Sequence, residues 1–309
     1  MMSKTLVDVA DLDCIYLSYD EPDKEETWIK IQNMIPWATR VDGVVGSDAA
    51  HKAAAALSTT DRFILVDGDN LPNPEFFNKQ LEITEENNDH VFRWKAQNHI
   101  NGLVYGNGGL SCWTKEFVNN MQTHENSDGA DENNVEFCYD PKYIAMNDCY
   151  STTYPNQSPL QAFRAGFREG VKMCLNKGVR PTLPEFEEKM NSKHFDNLLV
   201  WMNVGIDIPN GLFAMQGARY GTYKTMLTDW DYTDVQDFDQ LYALYGEFTE
   251  NKITEPMHID TSLQSRLGLE LVNYTPAQSS FFKYFYGKIH KQRGVMVTEI
   301  EVIRKAEGW

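Results

Sequence analysis

The first hundred residues alternate short apolar runs with amphipathic ones, the pattern of strands joined by crossover helices in an α/β sheet. Cys14-Ile15-Tyr16-Leu17-Ser18-Tyr19 reads as a buried strand that ends in the polar turn Asp20-Glu21-Pro22-Asp23. Trp28, Ile31, Met34 and Ile35 then fall on one helix face, and Pro36 closes that helix. A short element around Thr39 to Val45 leads to a second helix, capped by Ser47 or Asp48 and favoured by the run Ala53 to Ala56. Arg62-Phe63-Ile64-Leu65-Val66 is a continuous apolar strand of the kind buried on both faces of a parallel sheet. It stops in Asp67-Gly68-Asp69-Asn70.

Two further strands are predicted around Val91 to Lys95 and Gly102 to Tyr105, followed by a glycine-rich turn at Gly106-Asn107-Gly108-Gly109 and a helix from Thr114 to Met121. Residues 124 to 134 are acidic, polar and without periodicity, which reads as a long loop. A helix over 158 to 177 is signalled by a capping box of Ser158 and Gln161, Pro159 in the first turn, an apolar face of Leu160, Phe163, Phe167, Val171 and Cys174, and Gly178 as the stop. Beyond Pro181 the pattern turns mainly helical. Gly211, Ala214, Gly217, Ala218 and Gly221 recur at near-helical spacing, as in a helix pressed against a neighbour, and Arg219 and Lys224 exclude a membrane span there. The expected organisation is a mixed α/β domain over residues 1–180 and a mainly helical region over 181–309.

Composition narrows the partners. The chain has 309 residues, with 28 Lys+Arg against 45 Asp+Glu for a formal charge of -17. That excess repels polyanions at long range, so any nucleic acid must be met at a local basic site. Two such places stand out: Arg164, Arg168 and Lys172 on the polar face of the 158 helix, and Lys283, Lys288, Lys291 and Arg293 in an acid-free stretch with Tyr284 and Tyr286. A solvated helix face and an aromatic core edge are the plainer readings of both. Five cysteines, odd in number and without a Cys-x-x-Cys pair, indicate neither a disulfide framework nor a zinc knuckle, and a reducing compartment is expected. Residues 1 to 15 lack the zones of a signal peptide and no apolar run is long enough for a bilayer, so a cytoplasmic protein without membrane contact is expected. No P-loop, nucleophile elbow or His-Glu-x-x-His spacing occurs.

The chemistry concentrates at Asp67-Gly68-Asp69. Carboxylates at i and i+2 where a strand leaves the sheet can converge on one ion, glycine admits close approach, and hard oxygen ligands suit Mn²⁺ or Mg²⁺ with positions left for substrate phosphates. An ordinary Asp-Gly turn explains the same residue types; the place after a buried strand, where open α/β sheets bind ligands, favours the functional reading.

Over residues 12 to 125 this succession of strand, helix, short strand, Ala-rich helix and strand ending in Asp-Gly-Asp resembles the nucleotide-binding half of glycosyltransferases of the GT-A fold, which carry an Asp-x-Asp motif at that point. The chain also resembles tailed-phage glycosyltransferases in style. The resemblance implies a fold with a GT-A-like mixed sheet, flanking helices and a helical C-terminal region on the acceptor side. It implies a UDP-sugar donor and Mn²⁺ or Mg²⁺ held by Asp67 and Asp69, with Asp67 reaching the ribose or the metal. Ser18, Tyr19 and Asp20 would flank the nucleobase, and His51 or Lys52 would reach the nucleotide. Gly106 to Gly109, with Gly108 and Gly109 closest, would leave room for the sugar. A further metal ligand would be His258 or His194. An inverting reaction would need a base, for which Asp128, Asp131, Glu132 and Asp148 are the candidates. The acceptor hydroxyl implied by the phage resemblance is that of a hydroxymethylated base in DNA. Two other classes fit the same residues: a sugar nucleotidyltransferase, which would make a nucleotide sugar, and a non-catalytic acidic binding or DNA-mimic protein, which would bind no nucleotide.

Overall fold

A computed structural model describes residues 4–121, 138, 140–190, 192–250 and 255–293. In chain order the elements are β1 (Lys4–Asp8), β2 (Asp13–Ser18), α1 (Lys24–Met34), β3 (Thr39–Asp42), α2 (Ser47–Leu57), β4 (Arg62–Asp67), β5 (Asn70–Pro72), β6 (Gln80–Thr84), β7 (Val91–Asn98), β8 (Val104–Thr114), α3 (Lys115–Asn120) and β9 (Tyr143–Thr153). They continue as α4 (Pro159–Met173), α5 (Phe186–Lys189), α6 (Ser192–Asn203), α7 (Gly211–Leu227), α8 (Phe238–Glu250), α9 (Glu255–Leu267) and α10 (Pro276–Arg293). The result is a mixed α/β fold with flanking helices and a helical C-terminal region.

Seven strands form one mixed sheet in the order β3-β2-β4-β8-β7-β9-β5, while β1 and β6 pair separately. β2 lies between β3 and β4 and runs parallel to both, with Ile15 opposite Thr39 and Leu17 opposite Asp67. The chain leaves β2 through α1 to β3 on one side, then crosses back through α2 to β4 on the other. That reversal makes the carboxyl ends of β2 and β4 a topological switch point, the kind of place where such sheets take ligands. β4 is buried from Arg62 to Val66, as its unbroken apolar sequence requires. α1 packs Ile31 and Ile35 on one face of the sheet and α2 packs Ala54 and Ala55 on the other.

Several predicted boundaries move. α2 is preceded by Gly46 at φ +90°, not capped by a Ser47 or Asp48 side chain, because only glycine enters that backbone region cheaply. Gly106 to Gly109 lie inside β8 and not in a turn after it, but the ladder is irregular there: the partners of β7 jump from Ser111 opposite Arg93 to Gly106 opposite Lys95, and the β4 ladder ends with Leu110 opposite Val66. Pairing with β7 up to Gly106 and with β4 from Leu110 onward holds the two flanks in one strand, which a local reading does not see. α4 starts as expected, with the Ser158 hydroxyl accepting from the Gln161 amide at 3.1 Å, but it ends at Met173, and Gly178 belongs to the turn beyond. The acidic stretch 124 to 134 lies outside the described residues.

α4 and α7 form the centre of the helical part. Cβ atoms added to Gly166 or Gly170 would strike the Ala214 or Ala218 carbonyl, and those added to Gly217 or Gly221 would strike the Phe163 or Phe167 carbonyl. The small residues therefore bring the two backbones together. Around them Phe163, Phe167, Trp201, Tyr220 and Phe248 make one core that also takes Ile100 and Leu103 from the β7–β8 connection. That core draws on residues from Ile100 to Leu269, on both sides of residue 180.

Candidate functional site

Asp67 ends β4 and Asp69 follows it into the short β5, whose pairing with the end of β9 sets Asn70 opposite Thr153. The Tyr154 amide donates to the Asp69 carbonyl at 2.7 Å, and the Thr153 hydroxyl donates to Asp69 Oδ2 at 3.0 Å. Asn70 Nδ2 donates to Asp69 Oδ1 at 2.8 Å. Asp69 is thus held in one orientation by its neighbour and by β9.

The turn after β2 closes over this one. Tyr16, buried in β2, donates its hydroxyl to the Gly68 carbonyl at 2.9 Å. The Tyr19 amide donates to Glu21 Oε2 at 2.8 Å, and the Glu21 carboxylate lies where a side chain on residue 68 would stand. A side chain at 68 would have to displace the tip of Glu21. Three carboxylates meet here, and their electrostatics follow. Burial, then the charges of Asp69 and Glu21, push the Asp67 carboxyl up to about 8. Burial also raises Asp69, opposed by Thr153, Asn70 and the Arg164 charge on α4. Glu21 is raised by burial, with the Asp69 and Asp20 charges adding to it and hydrogen bonds opposing it. Among the described residues nothing donates to Asp67.

The residues expected at the site divide by location. Ser18 is buried at the end of β2, donating to Asp42 Oδ1 at 2.7 Å and accepting from Arg40 Nε at 2.9 Å. Tyr19 and Asp20 are exposed after β2. Gly108 and Gly109 precede Leu110 in β8, and Leu110 pairs with Val66, the residue before Asp67; Gly109 is buried. Lys52 is held by Asp48 one turn earlier at 2.6 Å, and His51 is buried with its ring against Trp113 and Nδ1 2.8 Å from the Ser47 carbonyl. Asp148 is exposed in the β9 bulge, where the partners of Arg93 and Lys95 jump from Ala145 to Cys149, and its charge acts on Lys79 and Lys95. Asp128, Asp131 and Glu132 lie outside the described residues.

His258 is exposed on α9, with Nε2 3.2 Å from the Tyr223 hydroxyl, and His194 is exposed on α6. Among the described residues no group of three or more His, Cys, Asp and Glu side chains is arranged to hold a metal ion, so His258 does not complete a set with Asp67 and Asp69. Spacing along the chain carried no information about which helix face those histidines would occupy. What the site offers is a two-carboxylate anchor. Asp67, crowded by like charge and without a donor, is the kind of group a hard divalent cation satisfies, with substrate and water completing the coordination.

Of the two basic stretches, Lys283 is spoken for: its Nζ is 2.5 Å from Asp207 Oδ2 in a largely buried pair. The side chains of Lys288, Lys291 and Arg293 lie outside the described residues. The sequence reading missed Glu21, Thr153 and Arg164 as neighbours of the carboxylates. Glu21 was accessible in principle, because two parallel strands that neighbour each other bring their following turns together; Thr153 was not, since β9 went unrecognised.

No cysteine is in a disulfide, and among the described residues no helix is long and apolar enough to cross a membrane. Compared with protein-family models, curated proteins and solved structures, the chain matches none of them.

Proposed function

We propose that this chain is a metal-dependent glycosyltransferase that moves a sugar from a nucleoside diphosphate donor, UDP by preference, to an acceptor hydroxyl. The observation that carries the reading is the carboxylate pair Asp67 and Asp69 at the ends of β2 and β4, with Asp67 pushed up to about 8. A carboxylate held this way gains from a cation and a cation-bound diphosphate together, more than from either surface ion pairing or an isolated turn.

Asp67 and Asp69 would hold the ion, which when bound neutralises the charge that develops on a departing diphosphate. Thr153 and Asn70 fix the direction of Asp69, so little reorganisation is needed when substrate arrives. Tyr16 bonds the Gly68 carbonyl and Glu21 packs against that glycine, so the two turns would keep a fixed spacing. Tyr19 and Asp20, exposed after β2, would flank the nucleoside, and Gly109, without a side chain, would lie on the side of the sugar ring. For an inverting reaction the base would come from Asp131 in the acidic segment or from Asp148, the latter only if the β9 bulge rearranges.

The test is thermal unfolding with UDP and Mn²⁺, repeated on Asp69→Asn. The expected result is a rise in Tm of several degrees for the wild type and none for the variant. No rise in the wild type, or an equal one in the variant, rejects the reading.

A further inference from the structure

β7 carries Arg93 and Lys95 on the face opposite Phe92 and Trp94, whose rings are buried in the core that α1 covers. Both cations are half-buried. The Arg93 guanidinium is placed by two neighbours: its Cζ lies 4.7 Å from the centroid of the Tyr143 ring, and its Nη1 stands 3.8 Å from the point where a Cβ on Gly106 would be. Lys95 pairs with that same Gly106, whose backbone is exposed. The Arg93 Nε is buried and bonds nothing, and among the described residues neither Arg93 nor Lys95 has a hydrogen bond or an ion pair. Two cations therefore flank one open glycine with no counter-ion among the described residues.

The surrounding charges do not supply one. Burial, and then the charge of Lys193 at the start of α6, hold the Lys95 ammonium below its usual 10.5. Two described carboxylates act on this side: Asp148, exposed in the β9 bulge, acts on Lys95, and Asp140, also exposed, acts on Cys138, where Arg93 acts as well. Arg93, Lys95 and Lys193 against Asp140 and Asp148 leave a positive local balance in a chain whose net charge is -17. Within a screening length of about 8 Å at physiological salt, that local balance governs a small ion.

β8 separates these cations from the strand that ends in Asp67. Ser111 pairs with Leu65 of β4 on one side and with Arg93 on the other, so Arg93 stands two strands, about 10 Å, from Leu65, two residues before Asp67. One phosphate does not span that distance. A substrate held at Asp67 and extending across β8 does so if its far end carries a second anionic group. A guanidinium N–H without a partner beside an uncompensated ammonium is satisfied by a phosphate or carboxylate; a neutral hydroxyl leaves both charges in place.

We propose that Arg93 and Lys95, at Gly106, form a subsite for a phosphate or carboxylate group, separate from the carboxylate pair Asp67 and Asp69. That the group belongs to the acceptor or to the transferred sugar rests on the glycosyltransferase reading; anion binding does not.

Inorganic phosphate is titrated into the full chain at constant ionic strength with chelator present, against potassium chloride, reading Tm and calorimetric heat. Saturable binding by the wild type is expected with a Kd of about 1 to 10 mM. Arg93→Gln and Lys95→Gln each weaken it about tenfold or more, and Arg93→Lys, which keeps the charge, weakens it less. Lys95→Gln, which loses no bond, covers the case in which Arg93→Gln fails to fold. No saturable effect on the wild type, the same effect from chloride, or unchanged affinity in either folded Gln variant overturns the subsite.

With Mg²⁺ in place of chelator, UDP-glucose and UDP-glucuronate are then added to the phosphate-bound protein. Displacement by UDP-glucuronate alone puts the anionic group on the donor sugar, and phosphate retained beside both puts it on the acceptor. Displacement by both sugars places the phosphate at the carboxylate pair and overturns the subsite. Stabilisation by UDP and Mn²⁺ is measured on the same preparation: phosphate binding without it sustains the subsite while removing the transferase reading, and the reverse result does the opposite.

Discussion

The Glu21 carboxylate rests on Gly68, so that a Cβ on that glycine would coincide with Glu21 Cδ and both of its oxygens. The obstacle is the tip of a flexible side chain and not backbone. Gly68→Ala is therefore expected to fold, with a stability change within about 1 kcal/mol, while turning Glu21 away from residue 68 and breaking its 2.8 Å bond from the Tyr19 amide. Removing one like charge lowers the Asp67 carboxyl from its raised position. Chemical denaturation checks the first expectation, and carboxyl chemical shifts during a pH titration check the second. Global unfolding of Gly68→Ala would show that the approach of these two turns is more rigid than the contact implies.

Asp67 makes stability depend on pH in a direction opposite to that of an ordinary paired carboxylate. Its folded value is about 8, above the usual 3.8, so the folded state binds the proton more tightly. The associated stability is complete below about 4 and is lost as pH rises toward about 8, because ionising the carboxyl in place is penalised. With chelator present, Asp67→Asn should be more stable than the wild type at pH 8 to 9, by about 2 kcal/mol once partial solvent access is allowed for, and the two should converge near pH 4. Tm measured against pH for both proteins decides it. Parallel curves would mean that the carboxyl is not crowded.

How much of this was legible in the chain depends on the range of the interaction. β2, α1, β3, α2 and β4 follow from local apolar runs and their period, and each is found where the pattern puts it, since every one is defined by residues close in sequence. The same holds for α4 and for the small residues of α7. The glycines at 106 to 109 read as a turn because they sit at an irregularity inside β8, whose continuity depends on pairing with β7 before them and with β4 after them. β9 was invisible for a related reason: Tyr143 to Thr153 alternates poorly, carries a bulge, and is held by β7 across about fifty residues. At the site, Asp67 and Asp69 could be picked out by their place after a buried strand. Their partners Glu21 and Thr153 depend on which strands neighbour β4, and Lys283 lost its exposed role to Asp207, a residue in another connection.

The α4–α7 contact makes the opposite demand on glycine from that at Gly68. At Gly166 an added Cβ would strike the Ala214 carbonyl, and at Gly217 the Phe163 carbonyl, both backbone atoms within helices. Neither can step aside without parting the helices and loosening Phe163, Phe167 and Ala218 in the core. Gly166→Ala and Gly217→Ala are expected to cost about 3 kcal/mol each, despite the better helix propensity of alanine, which returns less than about 1 kcal/mol. Urea midpoints of the two variants give the answer. Stabilisation by either substitution would contradict the close approach of these backbones.

Tyr105, in β8, donates its hydroxyl to Glu169 Oε2 at 2.7 Å and accepts from Trp201 Nε1 at 3.0 Å, joining the sheet to α4 and α6 through polar atoms inside an apolar surround. Burial by itself would raise Glu169, but the Lys172 charge and the Tyr105 hydroxyl outweigh it and hold the carboxyl below the usual value of 4.5. The tyrosine is pushed the other way, well above 10, by burial and by the Glu169 charge, and so remains a neutral donor throughout the working range. Tyr105→Phe leaves a largely buried carboxylate and an indole N–H each short of a partner, at an expected cost of about 2 kcal/mol near neutral pH. Because the folded carboxyl is depressed, its contribution is present above about 4.5 and is lost as pH falls through the folded value, so the deficit of Tyr105→Phe should shrink in acid. A double-mutant cycle with Glu169→Gln, read by urea denaturation at pH 7 and again near pH 4, isolates the pair. Coupling that stays the same at both values would assign the stabilisation to packing of the ring instead of to the charge on Glu169.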